Sequence, residues 1–402
     1  MLPISRRGFT LGAAASVIGV PIIARAQPLP AGAPEIKLGQ TQPYSGPASA
    51  FGNVGRAEVA YFQMVNDQGG VGGHKVNLIS LDDGYSPPKT VEMTRRLVEE
   101  DQVAAIFASI GTAPNTAIIK YLTQKKVPNL FVGSGASKWG NFKEYPFTVA
   151  SLTSYRDEAI IYAKYILAQK PNGKIAVLWQ NDDFGKDYIT GLKEGLGDRY
   201  DKMVVANVSY EVTDATVDSQ AVTLKSSGAD VLLTAATPKF AAMFIRKVYD
   251  LGWQPLHLLS NVSVSVSAVI RPAGVEKAVG IISAAYFKDP NDPTWKDEPG
   301  MIQYRTFMAK YMPGSDVGDA AFSVGFGWAY AMHQVLKQCG SDFSRDNLMR
   351  QALSIRDVEV PAFLPGLKLN TSPTNHSPMS QLQLQRWTGT TWELFGRLIA
   401  AS

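Results

Sequence analysis

The sequence predicts an α/β protein of two doubly wound parallel-sheet lobes joined by a hinge. Short β-rich runs alternate with longer helical patterns from Glu35 to about Val132, the signature of a parallel sheet covered by helices. The same alternation starts afresh after Tyr155. The chain beyond its first 26 residues is also longer than one hydrophobic core usually organises.

Residues 1–26 read as an export signal rather than as part of the fold. Ser5-Arg6-Arg7-Gly8-Phe9 resembles a twin-arginine motif, Leu11 to Ile23 is an apolar run too short to span a bilayer comfortably, and Ala24-Arg25-Ala26 supplies an A-x-A cleavage pattern. Cleavage near Ala26 puts the mature protein, beginning at Gln27, in the periplasm. It also removes Arg6, Arg7 and Arg25 and no acid, so 39 basic residues fall to 36 against 35 acidic ones. A net charge of about +1 gives no electrostatic footprint for nucleic acid. Cys339, the single cysteine, can form no intrachain disulfide and suits a buried thiol.

In the first lobe the runs are Ile36–Gln40, a helix near Gly55–Gln68, Val76–Leu81, Pro88–Asp101, Ala104–Ala108, Thr112–Lys126 and Leu130–Val132. Ala57, Ala60, Tyr61, Met64 and Val65 form one apolar helical stripe, and Gly69-Gly70-Val71-Gly72-Gly73 marks its end. The second lobe runs through a helix at 159–167, Ile175–Trp179, Lys186–Leu196, Val204–Tyr210, Ala221–Ser227, Val231–Thr234, Lys239–Leu251 and Leu256–Ser260. After Ile281–Ala284, helices near Met301–Tyr311, Asp319–Gln338 and Arg345–Ala352 return to the first lobe. Gln381–Trp387 and Trp392–Leu398 then form a hairpin closing the second. The predicted lobes are 34–150 with 284–362, and 151–283 with 363–402.

Ligands of open α/β sheets sit beyond the carboxyl ends of the strands. There the sequence places Ser109 and Thr112 in one turn, Gly133-Ser134-Gly135-Ala136-Ser137-Lys138-Trp139 in a second, and in the other lobe Phe184, Thr237 and Asn261. The hydroxyls of the first turn suit anion binding beside free helix amides, and taken alone suit plain helix capping more. Asp182-Asp183 likewise suits capping more than catalysis. No G-x-G-x-x-G, Walker or G-x-S-x-G pattern is present, and His74, His257, His333 and His376 have no metal-ligand spacing. The reading is therefore a non-enzyme without metal or cofactor.

Pro43-Tyr44-Ser45-Gly46-Pro47, Asp82-Asp83, Ser109, Asp182-Asp183-Phe184-Gly185 and Thr371-Ser372-Pro373-Thr374, in this order over residues 34–400, resemble the leucine/isoleucine/valine-binding branch of periplasmic solute-binding proteins. The resemblance implies a type I binding protein, with three hinge crossings, no catalytic step, a monomeric state and an inner-membrane ABC permease as partner. It places Ser109, Gly135 and Ser137 around the ligand, with Phe51 and Phe184 at its aromatic positions. The acid that holds an α-ammonium in amino-acid binders falls at Asn261 or Val262, neither of them charged. The expected solute is thus a small carboxylate, of which an aromatic acid is one form. Its acid group would lie on Ser109, Gly135 and Ser137 and its body against Phe51, Phe184 and Tyr155 or Trp139. Amino-acid binding and a ligand-sensing role beside a membrane receptor are the alternatives, with an exported hydrolase a distant third.

Overall fold

The computed structural model describes Leu29 and residues 32–401. The export signal expected at residues 1–26 lies outside the described residues. Among the described residues no helix is long and apolar enough to cross a membrane.

The first sheet is built of β1 (Glu35–Gln42), β2 (Lys75–Asp82), β3 (Ala105–Phe107), β4 (Asn129–Val132) and β5 (Thr148–Ala150), in the order β2-β1-β3-β4-β5 and parallel throughout. Helices α1 (Gly52–Asp67), α2 (Pro87–Arg95) and α3 (Thr112–Gln124) connect the first four strands. Strands β3, β4 and β5 are buried along their whole length, because covered parallel sheets expose neither face.

The second unit begins with α4 (Tyr155–Gln169), β6 (Ile175–Gln180), α5 (Asp183–Leu196), the short α6 (Tyr200–Met203) and β7 (Val204–Tyr210). It continues through α7 (Asp218–Ser226), β8 (Val231–Ala235), α8 (Pro238–Asp250), β9 (Leu256–Leu259), the short α9 (Arg271–Ala273) and β10 (Ile282–Ala285). The chain then runs through α10 (Pro299–Tyr311), α11 (Ala320–Gln338) and α12 (Arg345–Ala352). The small pair β11 (Val358–Glu359) and β12 (Lys368–Leu369) precedes the closing hairpin β13 (Gln381–Trp387) and β14 (Trp392–Ala400). The second sheet has the order β14-β13-β10-β9-β8-β6-β7, antiparallel only at β13 and β14.

Helices α10 and α11 pack on α1, where Tyr61 meets Phe307 and Phe326 with ring centroids 6.2 and 5.4 Å apart. The chain therefore leaves the first lobe after β5, returns after β10 and leaves again before β13, giving three crossings. The second and third run side by side near an antiparallel bridge between Phe287 and Phe363. His376 holds the outgoing strand to β5, its ring Nδ1 lying 2.7 Å from the Thr148 carbonyl while its own carbonyl accepts from Ala150 N.

Close packing of α4 on α5 depends on Gly191, where a Cβ would overlap the Arg156 carbonyl oxygen and meet the Ala159 methyl at 2.9 Å. Helix propensity alone makes Gly191→Ala stabilising by about 1 kcal/mol. Overpacking two rigid helices costs about 1–3 kcal/mol and so wins. Urea unfolding should show Gly191→Ala less stable than the wild type. A gain would mean that the two helices separate freely.

Candidate functional site

In a sheet ordered β2-β1-β3 the chain reverses direction between β1 and β3, and the second sheet repeats this with β7-β6-β8. Connections leave such a point on opposite faces and open a crevice at the carboxyl ends of the strands. The two crevices face one another across a cavity of about 110 Å³, which has room for several waters or the body of a small organic molecule.

The first lobe contributes Phe51 and Val54 from the start of α1, Tyr85 beyond β2, Ile110 to Thr112 beyond β3, and Gly133 beyond β4. The second contributes Phe184, Thr237, Pro238 and the turn from Asn261 to Val262. Tyr155, Tyr286 and Phe287 close the hinge side. Three residues of this wall, Tyr85, Ala108 and Phe131, adopt left-handed backbone with φ of 61°, 51° and 53°. Such conformations in residues other than glycine cost energy and concentrate at functional sites.

Of the residues expected at the site, Phe51, Thr112, Tyr155, Phe184, Thr237 and Asn261 stand on the cavity wall. Tyr155 lies edge-on to Phe184 at 4.8 Å and stacks on Tyr188 at 5.6 Å, so these rings form one rigid aromatic wall. The Thr237 hydroxyl is already engaged with Gln180 Oε1 and the Tyr210 hydroxyl, both at 3.2 Å. Asn261 is buried, and neither atom of its side-chain amide has a hydrogen-bond partner among the described residues. Its backbone N–H donates to Glu158 Oε1 at 2.9 Å, which sets the turn that holds it.

Ser109, Ser134, Gly135, Ser137 and Trp139, also expected at the site, do not stand on that wall. Ser109 Oγ accepts from Thr41 N at 2.9 Å, so its hydroxyl is turned into the sheet toward β1. Ser134 Oγ accepts from Trp139 Nε1 at 3.0 Å and meets the Thr112 hydroxyl at 2.7 Å, making these two residues the scaffold behind α3. Gly135 is a close-approach residue, since a Cβ there would lie 2.8 Å from the Tyr155 ring. Ser137 instead ties the lobes together. Its N–H and Oγ donate to the two carboxylate oxygens of Asp187 at 2.6 and 2.9 Å, and Lys138 beside it pairs with Asp183 at 2.6 Å.

Asp182 caps α5, its Oδ1 accepting from Phe184 N at 3.0 Å and Gly185 N at 3.3 Å, and burial pushes its carboxyl up to about 6. Cys339 is a buried free thiol. No cluster of metal-ligating side chains occurs among the described residues.

Glu58 was not expected at the site. It follows Phe51 and Val54 on one face of α1, is fully buried on the cavity wall, and neither carboxyl oxygen has a hydrogen-bond partner among the described residues. The signal available in the sequence was an acid set into the apolar face of α1, beside Ala57, and spaced seven residues from Phe51. Among the described residues no lysine, arginine or histidine lines the cavity, and the one other acid on its wall, Asp319, is engaged with Asn53 Nδ2 at 2.7 Å and Ala321 N at 3.0 Å.

Comparison with known proteins agrees with this architecture. A Leu/Ile/Val-binding protein homolog of Brucella abortus (strain 2308) is 24% identical over 376 residues, covering 88% of this chain and 89% of its own. An amino acid binding protein of Pseudomonas aeruginosa is 25% identical over 301 residues, covering 71% and 74%. Among solved structures, a branched chain amino acid ABC transporter from Thermus thermophilus with bound valine matches with a TM-score of 0.82 at 16% identity, over 92% of this chain and 97% of that one. A fatty acid ABC transporter substrate-binding protein from Thermomonospora curvata matches with a TM-score of 0.76 at 19% identity, over 91% and 92%. The periplasmic binding protein family model matches residues 35–391, nearly the whole described chain, and the chain belongs to that family.

Proposed function

We propose that this protein is the exported, monomeric solute-binding component of an ABC importer, and that it holds a small, largely apolar carboxylate-bearing solute between its lobes. The observation that carries this reading is one cavity enclosed by the strand ends of both lobes, with aromatic walls and few polar groups. The first turn of α3 meets the cavity at Gly111 and Thr112 and carries no acid; the Gly111 amide is bonded to the Gly133 carbonyl and Pro114 has none, so the amides of Thr112 and Ala113 are those that favour an anionic group there. Asn261 adds a free amide from the other lobe. Such an arrangement captures and releases; it needs no catalytic step. The moving bodies in this reading divide at the crossings near residues 151–154, 285–288 and 363–381.

The names of the relatives favour a second reading, in which the solute is an amino acid. Thermal-shift screening of the purified protein against aromatic acids, aliphatic acids and amino acids separates the two. Des-amino acids should raise the melting temperature, and a response to amino acids alone would reject the first reading. Asn261→Ala should weaken the responding solute about tenfold, as loss of one buried hydrogen bond does. Unchanged affinity in calorimetry would take Asn261 out of the site.

A further inference from the structure

We infer that Glu58 is the specificity determinant for a protonated amine on the solute, held from α1 of the first lobe. This rests on the reading that the cavity is the solute site and deepens it. Phe51, Val54 and Glu58 follow one another along α1, and Ala321, Val324 and Trp328 along α11, so the cavity follows the seam between these two packed helices. Its outer end includes the half-buried Phe51, Val262 and Ser265, whereas Glu58, Ala108, Phe131 and Trp328 of the first lobe are all buried.

A carboxyl in this place has few alternatives. Its two oxygens accept nothing from the described residues, and no basic side chain among those residues lines the cavity to balance it. Burial alone pushes it well above the usual carboxylate range, so without a partner it is held neutral. An ammonium group brings the donors and the charge that are missing, and charge-assisted hydrogen bonds are the strong ones. Phe131 and Trp328, packed on each other with ring centroids 5.4 Å apart, line the same wall. A second carboxylate at this end, being acceptor-only, would bring no donor for these oxygens. The uncharged turn at Asn261 and Val262 thus does not leave the cavity without an acid, because the acid stands on the opposite lobe.

The test uses three matched sets of probes: leucine, isocaproate and isoamylamine; phenylalanine, hydrocinnamate and phenethylamine; ε-aminocaproate, caproate and hexylamine. Affinities are measured by calorimetry for the wild type, Glu58→Gln and the volume-matched Glu58→Met, with a urea melt of each variant to establish folding. In at least one set the amine-bearing probe should bind the wild type about thirtyfold more tightly than its des-amino partner, and both variants should abolish that preference. Equal binding of amine-bearing and des-amino probes overturns the inference and leaves the carboxylate reading intact. So does a preference that survives in both folded variants. Absence of any amine-bearing binder at millimolar concentration also overturns it. If amines bind through Glu58 and no acid binds, the carboxylate reading fails and the inference stands.

Discussion

Asp187→Ala should weaken solute binding by about tenfold to a hundredfold without touching the cavity wall. Asp187 stands on α5 of the second lobe and receives both the N–H and the hydroxyl of Ser137 from the first. Hydrogen bonds to a charged group contribute about 1.5–3 kcal/mol. They exist only while the lobes face one another, so their loss penalises the closed form specifically. A solute that binds the closed form pays that difference in apparent affinity. Calorimetry with any probe that raises the melting temperature measures the loss, and solution scattering should show the variant more open at equal probe saturation. An unchanged affinity would mean that closure does not depend on this contact. Lys138→Ala, which breaks the adjacent pair with the more exposed Asp183, should have a smaller effect because solvent screens it.

Glu158→Gln should alter the pH dependence of stability by about 2.5 kcal/mol between pH 5 and 8. Glu158 is fully buried, and burial pushes its carboxyl up to about 7 although it accepts from Asn261 N. An acid whose pKa rises on folding favours the neutral form in the native state. Its contribution is therefore complete below the unfolded value near 4.5 and is lost as pH rises through about 7. His257 works in the other direction. Burial pulls it down to about 3, so stability falls as pH drops below 6.5 and the unfolded chain takes up a proton. The wild-type profile mixes the two, and only the difference between wild type and Glu158→Gln isolates the carboxyl. Urea melts at pH 5 and pH 8 measure it. The variant should gain on the wild type at the higher pH, and parallel profiles would show that Glu158 does not titrate in this range.

Much of the fold was legible because its signals are local. The apolar stripe of α1, the glycine run from Gly69 to Gly73 and the tail hairpin from Gln381 to Ala400 each declare themselves within a short continuous stretch of chain. The short β5 went unread, since Thr148–Ala150 is three residues long and pairs only with β4. The site was legible in part. Strand-end logic brought Thr112, Phe184, Thr237 and Asn261 to the cavity, because backbone order alone places those turns, and the family resemblance added Phe51. It also named Ser109 and Ser137, whose hydroxyls found nearer partners in Thr41 and Asp187. Glu58 was passed over because an acid on a helix reads as solvent-facing until a second helix covers it.

By itself, the sequence determined the two α/β lobes and the turns that meet between them. Periodicity and turn chemistry act over neighbouring residues and need no knowledge of the rest of the chain. Only the tertiary structure decided which polar groups of those turns remain free. A donor or acceptor goes to the nearest partner in space, and those partners lie 68 residues away for Ser109 and 50 for Ser137. For Glu58 the packing of α11 on α1 buries the carboxyl without supplying a partner. Burial of that kind turned an ordinary helical acid into the most distinctive group of the cavity.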